Sequence, residues 1–140
     1  MSEQIAQQWL RAAAATANAK DFTAHMDLIS RRVNLLGVPG FENIGYDEWA
    51  AQCKHEFEQD ILKSVRYDGF KLVAATVTRV MFKTFETVEG NDGTINAQGI
   101  EVLLEREEDG QWRLVQERVL PAGRRGGTRP SAALTGSGLQ

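Results

Sequence analysis

Apolar residues recur every three or four positions in the first part of the chain and on alternating positions in the second, the change falling near Ser64. Ile5, Trp9, Ala12, Ala13 and Thr16 make one helical stripe, opened by Ser2 and Glu3 as cap and first-turn acid. The break from Asn18 to Asp21 lets Asp21 cap a second helix, with Phe22, Met26 and Ile29 on its apolar side. Val33 to Leu36 predicts a short strand, and Gly37-Val38-Pro39-Gly40 a turn. Asp47 and Glu48 suit the start of a third helix, whose stripe is Trp49, Cys53 and Phe57. His55 falls on the opposite, solvated face.

Strands are expected at Val65 to Val77, Arg79 to Val88, Ala97 to Glu107 and Trp112 to Leu120. Asn91-Asp92-Gly93 and Asp109-Gly110 supply hairpin turns, because Asn and Gly tolerate positive φ. Gln98, Ile100, Val102 and Leu104 alternate with Gly99, Glu101, Leu103 and Glu105. Val80-Met81-Phe82 carries apolar groups toward both faces, which asks for a cover on each side; a second copy of the chain is the economical one. Helices first and antiparallel strands afterwards define an α+β domain with the helices on one sheet face.

The 140 residues suit one domain. A domain of that size buries roughly 68% of its extended-chain surface, enough to need no disulfide or metal. Net charge is −3, but the stretch from Pro121 on holds Arg124, Arg125 and Arg129 and no acid. The remainder therefore carries 13 basic against 19 acidic residues, −6, which argues against a nucleic-acid surface. Cys53 is the single cysteine and, on a helical apolar stripe, reads as a small buried hydrophobe. There is no signal-peptide profile and no apolar run near the ~20 residues of a membrane span, so a cytoplasmic location is expected. Residues 121–140 have no periodicity and read as a flexible Gly/Pro/Arg-containing tail following a domain at 1–120.

The order of elements, Asn18-Ala19-Lys20-Asp21-Phe22, the helix opening Tyr46-Asp47-Glu48-Trp49 and the ending Glu108-Asp109-Gly110-Gln111-Trp112-Arg113-Leu114-Val115 resemble the nuclear transport factor 2-like superfamily. That superfamily includes ketosteroid isomerases, scytalone dehydratase and SnoaL-type cyclases. The resemblance implies a conical barrel, cystatin-like: a strongly curved, mainly antiparallel sheet with three N-terminal helices packed across it. It also implies a pocket inside the cone and a homodimer through the outer sheet face. The isomerase roles do not carry over, since the tyrosine falls on Ala13 and the carboxylate base on or near Gly37; only the second acid, near Glu101, has a suitable side chain. Where some relatives place inward histidines on the last strand, this chain has Gln116 and Arg118.

His25 and Glu101 are thus the candidates for proton transfer, His25 because imidazole titrates near neutral pH. Trp9, Met26, Arg79, Gln98, Gln116 and Arg118 are candidates for ligand contact, the arginines as partners for a polar group. Glu105-Arg106-Glu107-Glu108 reads as a solvated strand end. No spacing matches a metal site or a nucleotide loop, so no metal and no cofactor are expected. The reading is a homodimer that binds a small, largely apolar molecule in the cone or acts as a scaffold, without nucleic acid or membrane. Its alternative is an isomerase, dehydratase or cyclase working through His25 or Glu101.

Overall fold

A computed structural model describes residues 1–121; the expected tail, residues 121–140, lies outside the described residues apart from Pro121. Helix α1 spans Ser2–Asn18 and buries Ala6, Trp9, Leu10, Ala13 and Ala17, a stripe rotated by about one residue from the expected one. The small residues of that stripe let α1 lie close on the sheet. At its end the Asn18 side chain imitates a strand neighbour: its Oδ1 accepts from Val65 N–H at 2.7 Å and its Nδ2 donates to Val65 O at 3.1 Å.

Helix α2, Phe22–Met26, is short, and Asp21 caps it by accepting from Ala24 N–H. Ile29, expected on this helix, instead opens strand β1, Ile29–Leu36. The chain turns at Asp27 and Leu28, and Ile29 takes Leu114 as its register partner. Gly37 then sits at φ +85, where a Cβ would lie 2.4 Å from Val119 O, so only glycine lets the chain leave β1 here. Helix α3, Tyr46–Glu58, starts where Glu48 Oε1 accepts the Gly45 N–H at 2.8 Å. Trp49, Cys53 and Phe57 are buried along it, as their spacing predicts, and His55 is exposed.

Strands β2 (Leu62–Ala75), β3 (Arg79–Gly90), β4 (Ile95–Arg106) and β5 (Trp112–Val119) complete one sheet in the order β1-β5-β4-β3-β2. β2 to β5 pair antiparallel as a meander, while β1 joins β5 in parallel. β1 and β2 remain separate edges, so the sheet curves without closing into the expected barrel. The helices cover one face. On that side Val80, Phe82, Ile100, Val102, Leu104 and Leu114 pack with Trp9, Leu10, Ala13 and Trp49 as the main core. No helix among the described residues is long and apolar enough to cross a membrane.

Candidate functional site: acids buried under the helices

The helix-covered face of β3 reads Val80, Phe82, Thr84, Glu86, Val88, all of them buried. A carboxylate in that row is out of keeping with a plain core. Glu86 is fully buried and its register neighbours share its side of the sheet: Tyr67 on β2 and Gln98 on β4. Gln98 Nε2 donates to Glu86 Oε1 at 3.4 Å, and the Tyr67 hydroxyl also bonds Glu86. Burial, and then the negative charges of Glu86 and Glu117, push the Tyr67 hydroxyl well above its ordinary pKa, so it stays protonated. Helix α3 adds Cys53, within electrostatic reach of Tyr67, and a buried Glu56 that accepts from Gln52 Nε2 at 3.2 Å. Gln98 Oε1, on a side chain only 5% exposed, has no hydrogen-bond partner among the described residues.

Glu117 reaches the same side through a one-residue irregularity. Leu104 pairs with Leu114 but Leu103 pairs with Gln116, so Val115 is an extra residue in β5. Because strand side chains alternate, that insertion reverses the facing of everything after it. Glu117, opposite the core residue Val102, turns inward at 1% exposure. Gln116, opposite Leu103, and Arg118, opposite Glu101, turn to the open face, contrary to their expected inward placement.

The other sequence candidates separate. Glu101 lies on the open face, level with Lys83 and 3.8 Å from Arg118 Nε, and does not enter the covered side. Arg79 sits at the rim, its Nε on Glu105 Oε2 at 3.1 Å. His25 is buried between helices, with Nδ1 2.8 Å from Thr16 Oγ1 and the Phe57 ring edge-on at 5.9 Å. Burial pulls its pKa from 6.5 to about 4, against the raising effect of a hydrogen bond to the Ala13 backbone. Its Nε2 has no partner among the described residues. Trp9 is core and donates Nε1–H to Leu28 O at 3.1 Å. Of the expected residues, the structure brings Gln98 alone into the buried acid cluster; Tyr67, Glu86, Glu117 and Glu56 are additions. Parity along β3 signals Glu86, since it follows Val80, Phe82 and Thr84 at steps of two. Nothing local signals the others.

The charge run at the end of β4 is a working part of the frame and not a solvated end. Arg113 reaches Asp27, Glu107 and Asp109 at 3.0 to 3.1 Å and donates Nε–H to Asp27 O at 2.7 Å. Ser30 and Arg32 bond Glu107, and Arg32 and Arg79 bond Glu105. The bond to Asp109 is the main reason the Arg113 guanidinium holds its proton more tightly than usual. These links tie β1 to β4 and β5. Next to them a cleft of about 680 Å³ opens between α2, β1 and the start of α3, floored by Phe22, Met26, Ile29 and Tyr46, with Arg31 stacked 4.9 Å over the Tyr46 ring. On the covered side, Glu56 and Asn96 border a pocket of about 10 Å³, room for roughly one water. Among the described residues no group of three or more His, Cys, Asp or Glu could hold a metal ion.

Comparison with solved structures identifies the architecture as the nuclear transport factor 2-like, cystatin-like fold. A nuclear transport factor 2-like protein of unknown function from Shewanella oneidensis MR-1 superposes with a TM-score of 0.71 at 17% identity, covering 85% of this chain and 98% of that one. A nuclear transport factor 2-like protein from Cytophaga hutchinsonii ATCC 33406 gives 0.70 at 12% identity, over 84% and 95%. A protein of unknown function with a cystatin-like fold from Nostoc punctiforme PCC 73102 gives 0.64 at 9% identity, over 84% and 88%. Likeness at such identities concerns the fold and not the activity. No family model and no curated protein matches the chain.

Proposed function

We propose that this domain binds a small, largely apolar molecule under its helices and holds the polar end of that molecule at Tyr67, Glu86, Gln98 and Glu117. One observation carries the reading: two glutamates, a glutamine and a tyrosine converge on the core face of the sheet, walled by Phe82, Ile100, Val102 and Trp49. Burying a carboxyl group costs several kcal/mol compared with an apolar residue of the same volume. A fold that needed only stability would fill those places with leucine and valine. The test is a fragment soak or an NMR screen of the wild type against Glu86→Gln and Glu117→Gln. Occupants that contact this cluster and weaken in both variants support the proposal; fragments that collect only in the cleft at Tyr46 and Arg31 refute it.

A second reading, proton transfer of the isomerase, dehydratase or cyclase type, is favoured by Tyr67, a hydroxyl kept protonated beside two carboxyl groups. It moves the acid–base role from His25 and Glu101 to Glu86 and Glu117. Ketosteroid isomerisation stays disfavoured, Ala13 and Gly37 offering no tyrosine and no base. We also propose that the open sheet face pairs two copies. Met81, Phe85 and Leu103 are part-exposed there, and Leu120 and Phe85 both lie over Gly99. Sedimentation of the wild type and of Met81→Lys tests this, a dimer that persists in the variant counting against it. A cytoplasmic location and the 1–120 domain with its tail belong to the same reading.

A further inference from the structure

The geometry points to Gln98 as the residue that selects the ligand, which must carry no negative charge and must offer an O–H or N–H donor to Gln98 Oε1. This inference rests on the ligand-site reading above and adds to it the chemistry of the occupant.

Three observations support it. Gln98 is 95% buried, being 5% exposed, and lies on the covered face with Ile100, Val102 and Leu104. Its amide has a defined orientation, because Nε2 donates to Glu86 Oε1, which turns Oε1 away from that carboxylate. The oxygen thus set in place meets no donor among the described residues. A buried carbonyl oxygen left unmet carries a desolvation penalty, so a matching donor is gained at full value and a wrong group is rejected. The neighbourhood sharpens the choice. Tyr67 already gives its hydrogen to Glu86, and Glu117 stands on the same face. An anionic group placed here would meet an acceptor and two acids, shielded by burial from bulk solvent. An apolar group would leave the oxygen as it is. A hydroxyl or amine N–H satisfies it.

Three molecules that differ in one group provide the test: p-cresol, p-toluate and toluene, titrated into the wild-type protein and followed by NMR shifts of β3 and β4 amides. The expected order is p-cresol tightest, about tenfold over toluene, with p-toluate at least tenfold weaker than p-cresol. Gln98→Met, close to glutamine in size and without its acceptor, should erase the p-cresol over toluene preference while toluene binding holds within about twofold. A crystal soaked with p-cresol should place the hydroxyl within 2.6–3.2 Å of Gln98 Oε1. If p-toluate binds as well as p-cresol, or if Gln98→Met keeps the preference, the inference about Gln98 fails while the ligand site stands. The wild-type ranking decides the matter even if the variant does not fold. If none of the three binds at the cluster, the buried oxygen is met by water only, and both this inference and the ligand-site reading fall.

Discussion

Lowering the pH should weaken this fold through His25, because burial disfavours its charged form. The imidazole is buried beside Thr16 and Phe57, and burial holds its pKa at about 4 in the folded state against 6.5 for an exposed histidine. Well above pH 6.5 the side chain is neutral in both states and stability is unaffected. Between 6.5 and about 4 the unfolded chain takes up a proton that the folded chain refuses, so stability falls as the pH falls; below about 4 the loss levels off. Each unit of difference is about 1.4 kcal/mol, and two and a half units give a loss of about 3 kcal/mol. Urea unfolding at pH 7.5, 6.5, 5.5 and 4.5 measures it. Other groups titrate in this range, so the decisive quantity is the difference between wild type and His25→Asn, whose side-chain amide can still bond Thr16. That difference should grow steadily from pH 7 to 4.5 in favour of the variant. A constant offset between the two would refute the reasoning, since it would mean that His25 titrates alike folded and unfolded.

Thr16→Val removes the hydroxyl facing His25 Nδ1 and should cost about 1–3 kcal/mol in the same urea assay at pH 7.5. Gly37→Ala combines a positive φ with a Cβ 2.4 Å from Val119 O and should lower the thermal midpoint by several degrees or prevent folding; an unchanged midpoint would contradict the close approach of β1's end to β5. Arg113→Met severs links to Asp27, Glu107 and Asp109 from a side chain 14% exposed, and should cost about 2 kcal/mol by chemical denaturation. Removing the two buried acids with Glu86→Leu and Glu117→Leu together should leave stability level or raise it by about 1–4 kcal/mol, while fragment occupancy at the cluster is lost. A large drop in stability there would mark the acids as structural.

The identity of the elements was legible along the chain because it depends on short-range periodicity. Apolar positions at three and four gave the helices, alternation gave the strands, and Asn91-Asp92-Gly93 and Asp109-Gly110 gave the hairpins. Alternation in β4 also placed Gln98 on the same face as Ile100, Val102 and Leu104. Tertiary structure decided which face each strand row presents and what meets across strands. A single extra residue, Val115, reversed the end of β5 and brought Glu117 in where Gln116 and Arg118 were expected. Pairing of β2, β3 and β4, remote in sequence, put Tyr67, Glu86 and Gln98 side by side. Glu101 had the right residue type at the wrong parity, and His25 became a helix-packing residue because three helices close around it. Side-chain type is a property of one position, but burial and facing are set by the register of distant strands, where a shift of one residue exchanges inside for outside.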